Sequence, residues 1–310
     1  MLSRRNIRIK VLQSLYMMGR DPQIKKDDAI TFYKDSLEQS RQLYLFNIFI
    51  LLRTAECAVQ DAHKRLTKYL PSDEDKQFSD KLYNNRLISG LNKEVELGKI
   101  LKSLELKNPV DKDLINRLYR GFSKVGDYGK YMARESDDSD HVDMLLILFK
   151  YLVKNDDYDE LMHDHFPTWE DDKSLIVGAL KKTIKALPED TAMFKEFKPD
   201  YEAGIEFGEA LLNQVASQET ELEKLIESAL QNWELDRVAA IDMILLKMAL
   251  MEFMECPTIP TKVTLNEYVE ISKIYSTDKS KDFINGILDN LMKQLSEEGR
   301  IKKEGRGLVE

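Results

Sequence analysis

The chain has little of what extracellular and membrane proteins usually contain. Its 310 residues include two cysteines, Cys57 and Cys256, far apart in sequence, which excludes a disulfide framework and fits a reducing compartment. The longest apolar run, Leu43 to Leu52, is interrupted by Asn47 and is shorter than the roughly 18 residues that span a bilayer. The N-terminus is basic and polar, so we expect no signal peptide. We therefore predict a cytoplasmic protein without membrane contact.

Sequence patterns for β-strands and for catalysis are scarce as well. Alternating apolar runs never exceed a few residues, so we predict an all-α protein. No Walker A, Rossmann or Gly-x-Ser-x-Gly motif is present, and Gly126-Asp127-Tyr128-Gly129 is too short to hold a phosphate. His163-Asp164-His165 falls in an acidic stretch without a neighbouring cysteine, which we interpret as a loop rather than a metal site. We predict no enzyme activity, cofactor or metal.

What the chain does contain is a basic N-terminus in an acidic protein. The net charge is −9, yet residues 1–20 hold five basic residues and no acidic one. Arg4, Arg5 and Arg8 lie beside the apolar stripe of a helix predicted over Ser3 to Met18, and arginines in a first helical turn oppose the macrodipole. These arginines either bind phosphate or form a solvated helix end.

Helical periodicity continues along the rest of the chain. We predict further helices over residues 30–70, 84–104, 110–119, 140–153, 173–187, 200–216, 219–232 and 236–254, followed by a helix pair over Pro260 to Leu291. Val263, Val269, Ile271 and Ile274 give the first helix of that pair an apolar side. Gly286 lies inside the second helix, where glycine costs roughly 1 kcal/mol against alanine, so we expect a backbone or a ligand to pack against it. Residues 299–310 are predicted to be a mobile basic tail.

Two groups of segments together resemble the NusB family of transcription antitermination factors. The first is Arg4-Arg5-Asn6-Ile7-Arg8 leading into Val11-Leu12-Gln13-Ser14-Leu15-Tyr16. The second comprises Trp233-Glu234-Leu235-Asp236-Arg237-Val238, Ile241-Asp242, Leu245 to Ala249, Ile259 to Val263, Asn266-Glu267 and Phe283-Ile284-Asn285-Gly286-Ile287-Leu288-Asp289. The resemblance implies a NusB-like helical bundle over residues 1–19 and 201–298. Residues 20–200 then form a large helical insertion after the first helix, as in Bacteroidetes-type members.

The resemblance also implies a function without catalysis. Family members pair with the ribosomal protein NusE, bind the boxA element of nascent ribosomal RNA and promote read-through by RNA polymerase, acting with other Nus factors. Carried over to this chain, the RNA-binding residues are Arg4, Arg5, Arg8, Lys247, Lys281, Phe283 and Asn285. The NusE surface comprises Tyr16, Asp242, Glu252, Tyr275 and Lys279. Two alternatives stay open at this point, because Phe283 can belong to the core and Tyr16 can pack on its own helix.

Two rival functions can be compared with this one. The same helical domain precedes the catalytic domain of an RNA cytosine methyltransferase family, but only about fifteen residues follow the matching segment, so we expect no such enzyme. A protein-interaction scaffold that has lost RNA binding is the second rival. Residues 21–200 hold 29 basic and 34 acidic residues, a balance that fits a protein partner better than RNA.

Overall fold

The computed structural model of the protein describes residues 3–197, 205–230 and 237–304, and this part of the chain contains helices and turns but no β-strand. The all-α prediction is thus confirmed. The Trp233–Asp236 motif and the end of the predicted tail lie outside the described residues. The helices are α1 (Arg4–Arg20), α2 (Lys26–Leu66), α3 (Asp73–Gln77), α4 (Arg86–Lys93), α5 (Val95–Lys107), α6 (Lys112–Phe122), α7 (Gly126–Met132), α8 (Asp138–Val153), α9 (Asp156–His165), α10 (Trp169–Ala186), α11 (Phe207–Ser217), α12 (Glu219–Ala229), α13 (Ala240–Glu255), α14 (Thr261–Tyr275) and α15 (Ser280–Glu297), with a 3-10 turn at Met193–Glu196.

The chain divides into two compact units. One unit comprises Glu38–Lys198, and the other comprises Leu2–Leu37 together with Pro199–Glu310. We call the first the insertion unit and the second the terminal unit. Helix α2 is continuous and contributes residues to both.

Local capping explains where several helices begin. The Ser3 hydroxyl accepts a hydrogen bond from the Asn6 backbone N–H and begins α1, while Asp137 and Asp140 form a capping box at α8. The predicted helix over residues 84–104 is two helices, because Glu94 adopts an extended backbone between α4 and α5. The loop predicted around His163 is wrong, because this residue lies in α9.

His163 and His165 lie at the end of α9. There the imidazole of His163 faces two carboxylates, with Nε2 3.5 Å from Asp159 and 3.7 Å from Glu170. Asn155 caps this helix, and its amide oxygen accepts from the Tyr158 backbone N–H. Among the described residues, no group of three or more histidine, cysteine or acidic side chains is arranged to hold a metal ion.

The insertion unit has its own apolar core, built around α2, α8 and α10 and the largest buried side chain, Trp169. By length and composition alone, α2 is the one described helix that could cross a membrane, but 72% of its most apolar window is buried inside the protein. Core helices of soluble proteins share this composition, so we interpret α2 as a core helix.

The core of the terminal unit centres on α13, which is surrounded by α1, α11, α12, α14 and α15. Helix α15 buries Ile284, Leu288, Leu291 and Leu295. The apolar side predicted for α14 is wrong in part, because Val263 and Ile274 are 45% and 66% exposed. The buried face of α14 is instead formed by Thr264, Tyr268, Ile271 and Ser272.

The described part of the predicted tail is docked, which corrects the expectation of mobility for residues 299–304. Lys303 Nζ donates to the backbone oxygens of Glu252 and Cys256, at 3.0 and 2.8 Å. These carbonyls belong to the C-terminal end of α13, where a cation is favourable. Arg300 pairs with Glu221 at 3.0 Å, and the Glu304 N–H donates to the Pro257 oxygen.

Candidate functional site

The predicted basic surface is present at the start of α1, but only two of its three arginines are exposed. Arg4 and Arg5 line an open groove of about 430 Å³ together with Pro260, Val263 and Glu267 from α14 and the turn before it. Arg5 Nε and Nη2 donate to the two carboxylate oxygens of Glu267, at 2.9 and 2.8 Å. This hydrogen bonding lowers the pKa of Glu267, so the carboxylate is ionised at neutral pH beside the arginines.

Arg8 and Glu252 do not lie on a surface, so their predicted contacts with RNA and with NusE are wrong for this structure. Arg8 is 2% exposed and Glu252 is fully buried. Arg8 Nε and Nη2 donate to the Glu252 carboxylate at 2.8 and 2.6 Å, which forms a bidentate pair between α1 and α13. Thr264 and Tyr268 of α14 donate to the same carboxylate at 2.7 and 3.1 Å, so that three helices converge on Glu252.

Lys247 is the second cation that the structure removes from the predicted RNA surface. Its side chain is buried, and its ammonium donates to Glu219 at 2.7 Å and to Glu223 at 2.8 Å. Both acids lie on α12, so the lysine joins α13 to α12 and its charge is neutralised.

The first two turns of α15 present a mixed surface. Lys281 and Asn285 are exposed one turn apart on the same face, and Phe283 between them is half-buried. Gly286 is exposed, and a Cβ added there would have no neighbour within 4 Å. Close packing against another helix therefore does not explain this glycine, which corrects that part of the prediction. The open backbone leaves room for a ligand.

The loop between α14 and α15 surrounds a buried carboxylate. Asp242 of α13 accepts a hydrogen bond from the Ser280 hydroxyl through Oδ2, at 2.7 Å. Its other oxygen, Oδ1, is buried and has no hydrogen-bond partner in the described part of the chain. An unsatisfied buried acceptor of this kind costs about 1–3 kcal/mol. Lys279 is exposed beside this site and Tyr275 is half-buried.

Tyr16 lies in the last two turns of α1 and lines a pocket with Ala240 and Met243 of α13. Its hydroxyl accepts a hydrogen bond from Arg20 Nε at 3.1 Å, and the Arg20 guanidinium lies 5.4 Å from the centre of its ring. The Tyr16 side chain thus packs on its own helix, which is the alternative that the sequence left open. Its ring remains half-exposed.

The residues that position the arginines were not predicted as such. Glu267 was noted within a motif but not as a partner of Arg5, and Thr264, Tyr268 and Ser272 were not recognised as a buried stripe. Their spacing of four residues carried the information, because positions i, i+4 and i+8 of α14 share one face. A polar stripe at that spacing can face a buried ion pair as readily as solvent.

Comparisons with known proteins match the C-terminal part of the chain. Residues 181–293 match the model of the NusB family. The chain is similar to transcription antitermination proteins NusB from Salinibacter ruber (40% identity over 104 residues, covering 34% of this chain and 65% of the relative), Chloroherpeton thalassium (41% over 100 residues, 32% and 47%) and Enterococcus faecalis (42% over 89 residues, 28% and 58%).

The matched segments thus span between about half and just under two thirds of these relatives. No solved structure matches the chain significantly. The matched residues include α11 to α14 and most of α15, which form the core of the terminal unit. The family match and the identities to three relatives show that the chain carries a domain of the NusB family.

Proposed function

We propose that this protein is a transcription antitermination factor that binds boxA-type RNA together with the ribosomal protein NusE and promotes read-through in ribosomal RNA transcription. The observation that carries the proposal is the match of residues 181–293 to the NusB family, whose relatives bear the name of transcription antitermination proteins. The protein acts without enzyme chemistry, cofactor or metal. Its RNA-binding domain comprises residues 1–19 and 201–298, and residues 20–200 are an insertion.

The RNA surface combines the exposed start of α1 with the exposed start of α15. Arg4 and Arg5 supply charge for phosphate, while Lys281 and Asn285 supply a further charge and an amide for base edges. Phe283, which is half-buried, offers a ring for stacking with an unpaired base. Helix α14 packs against both α1 and α15, so it holds the two parts of this surface in one unit. Arg8 and Lys247 position helices and do not touch RNA.

The NusE surface comprises Tyr16, Asp242, Tyr275 and Lys279. Asp242 is 4% exposed, so its unpaired Oδ1 can accept a hydrogen bond from a partner only when the loop around it opens. Lys279 is exposed next to it and provides a cation for an acidic group of the partner. Glu252, which has four donors of its own, is excluded from this surface.

The pairing of the cations favours one alternative function. Arg5 is held by Glu267, and Arg8 and Lys247 are buried in ion pairs, so three of the five cations predicted for the RNA surface already have carboxylate partners. A helical scaffold that binds proteins and has lost RNA binding is the function that this observation favours.

A binding titration distinguishes the antitermination function from the scaffold function. Fluorescence anisotropy of a labelled boxA RNA is measured with the protein alone and with NusE, at several salt concentrations. We expect binding that NusE strengthens, and affinity that falls as salt rises, because phosphate contacts release counterions. Arg4→Ala/Arg5→Ala should weaken binding about tenfold. Lys224→Ala/Lys302→Ala, a matched control that removes two exposed lysines of the same unit, should not.

Two results would contradict the proposal. If calorimetry shows no complex with NusE, and boxA RNA does not bind at low salt, the scaffold function is favoured over the antitermination function. If the arginine variant and the lysine control weaken RNA binding equally, the start of α1 is not the RNA surface.

A further inference from the structure

A long groove runs along α2 in the insertion unit, outside the family domain. Three adjoining cavities form it, and neighbouring cavities share lining residues: Phe49 and Arg53 at one junction, Gln60 and Asn116 at the other. The groove follows α2 from Phe49 to Arg65, about 24 Å at the helical rise of about 1.5 Å per residue. Helices α5 and α6 form its other wall. We call it the α2–α6 groove.

The charged residues that line this groove are mostly basic, whereas the segment that contains it is acidic. Residues 21–200 hold more acidic than basic residues, 34 against 29. The groove is instead lined by more cations than acids. The cations are Arg53, Lys64, Arg65, Lys102, Lys112, Arg120 and Lys124, and the acids are Glu56, Asp61 and Glu105.

The acids of the groove neutralise only its two arginines on α2. Arg53 pairs with Glu56 and Glu105, and Arg65 pairs with Asp61 and Asp75. The other five cations of the groove are exposed and form no ion pair with any described residue; they are Lys64, Lys102, Lys112, Arg120 and Lys124. Five cations without ion-pair partners in one groove of an acidic unit repel one another, and an anionic ligand would relieve that repulsion.

The other lining residues decide between a protein and a nucleic acid as that ligand. The cavity around Lys64, Arg120 and Lys124 has little apolar surface, since the Tyr119 ring that lines it is 4% exposed, so this cavity offers no apolar pocket for an anchoring side chain. Protein interfaces are poor in lysine and depend on such anchors. Gln60, Asn116 and Ser123 instead add amides and a hydroxyl to the cations. Lysine, arginine, amide and hydroxyl groups are the usual contacts of phosphate and sugar oxygens.

We propose that the α2–α6 groove binds the phosphodiester backbone of single-stranded RNA without sequence preference. The proposal rests on the RNA-binding function proposed above and adds a second contact for the same class of ligand. Lys64, Arg120 and Lys124 surround one cavity of about 230 Å³ and hold consecutive phosphates there. Lys112 lines the middle cavity, and Lys102 lines the cavity at the other end of the groove.

The test uses the full-length protein and a labelled 20-nucleotide oligouridine RNA, which contains no boxA sequence. Lys64→Ala/Arg120→Ala/Lys124→Ala should weaken binding about tenfold and reduce the slope of log affinity against log salt by about 2, since each phosphate contact on a single strand contributes about 0.7. The matched control, Lys150→Ala/Lys181→Ala/Lys185→Ala, removes three exposed lysines of the same unit that do not line the groove. It should leave both quantities unchanged.

Three other outcomes would contradict the proposal that this groove binds RNA. Equal weakening by the two triple variants would show an effect of total charge and overturn the proposal. No weakening by the groove variant, together with weakening by Arg4→Ala/Arg5→Ala, would overturn it while the proposed function stands. A polyglutamate peptide that binds as tightly as the RNA, with the same dependence on Lys64, Arg120 and Lys124, would assign the groove to acidic proteins instead. The titration with boxA RNA and NusE tests the proposed function separately.

Discussion

Arg5 and Arg8 lie three positions apart on α1 and have opposite environments. Arg5 is exposed at the open groove beside α14. Arg8 is instead buried in an ion pair with Glu252, which lies 244 positions away in sequence. Nothing within the first helix distinguishes them except the side of the apolar stripe on which they lie. The buried partner on α13 decides which arginine can reach a ligand.

Removing one member of the buried pair should destabilise the protein strongly. Glu252→Ala leaves the Arg8 guanidinium buried without its carboxylate, which costs about 3–5 kcal/mol. The measurement is urea unfolding followed by circular dichroism at pH 7. Glu270→Ala removes an exposed acid of α14 that pairs with Lys273 and should cost less than about 1 kcal/mol.

Replacing both members tests whether the loss comes from the uncompensated charge. Arg8→Met/Glu252→Leu should recover a large part of the stability lost in Glu252→Ala, since two apolar side chains need no partner. A double variant as unstable as the single one would mean that the pair itself, with Thr264 and Tyr268, supplies the stability.

Glu267 should weaken RNA binding in the natural protein, because it competes with phosphate for Arg5. Glu267→Gln is expected to raise RNA affinity several-fold at low salt, measured by anisotropy. Glu227→Gln, which removes an exposed acid of α12, is the control for the change in net charge. An unchanged affinity in Glu267→Gln would mean that Arg5 does not contact RNA.

The Arg5–Glu267 pair also sets a direction for pH dependence. The pKa of Glu267 is lowered in the folded state, chiefly by the hydrogen bond from Arg5. Its contribution to stability is therefore complete above the ordinary glutamate pKa and is lost as pH falls through the lowered folded-state value. The affinity gain of Glu267→Gln should accordingly be the same from pH 6 to pH 8.

At the scale of single elements, the positions of most helices could be predicted, but the buried face of α14 could not. The predicted helix over Ser3 to Met18 and the pair after Pro260 correspond to α1, α14 and α15. Yet α14 turns Val263 and Ile274 toward solvent and buries Thr264 and Tyr268. The reason is that Glu252 requires hydrogen-bond donors, and two polar side chains on one face of α14 supply them.

Gly286 provides a test of what approaches α15. An alanine there meets nothing within 4 Å, so Gly286→Ala should raise the free energy of unfolding by about 0.5–1 kcal/mol, measured by urea unfolding. If RNA or NusE packs against this turn, the same variant should bind one of them more weakly. Gly178→Ala, also mid-helix and open on α10, should give the stability gain without the loss of binding. Unchanged binding of both ligands to Gly286→Ala would mean that neither contacts this turn.

At the scale of the whole molecule, each of the two units has an apolar core of its own. Trp169 is fully buried in the core of the insertion unit, and its indole donates to Asp159 at 2.9 Å. The core of the terminal unit is formed by other helices, α13 to α15 among them. The destabilisation of one core can therefore be measured separately from that of the other.

Trp169→Ala should destabilise the insertion unit by about 3–5 kcal/mol, because it removes a large buried side chain. Hydrogen exchange measured by mass spectrometry should increase in peptides from Glu38–Lys198 far more than in those from α13 to α15. Tyr69→Ala changes a side chain that is 97% exposed and should leave exchange unchanged. A uniform increase across the chain after Trp169→Ala would show that the two units unfold together.

The sequence by itself determined the all-α class, the positions of most helices and the family, because helical periodicity, capping residues and short motifs are local in the chain. Only the tertiary structure decided which of the singled-out charges face solvent. It placed Arg8, Lys247 and Glu252 inside and left Arg4, Lys279 and Lys281 outside. It also assembled the α2–α6 groove from three helices. Burial and ion pairing depend on residues that are distant in sequence, and these partners meet only when the helices pack.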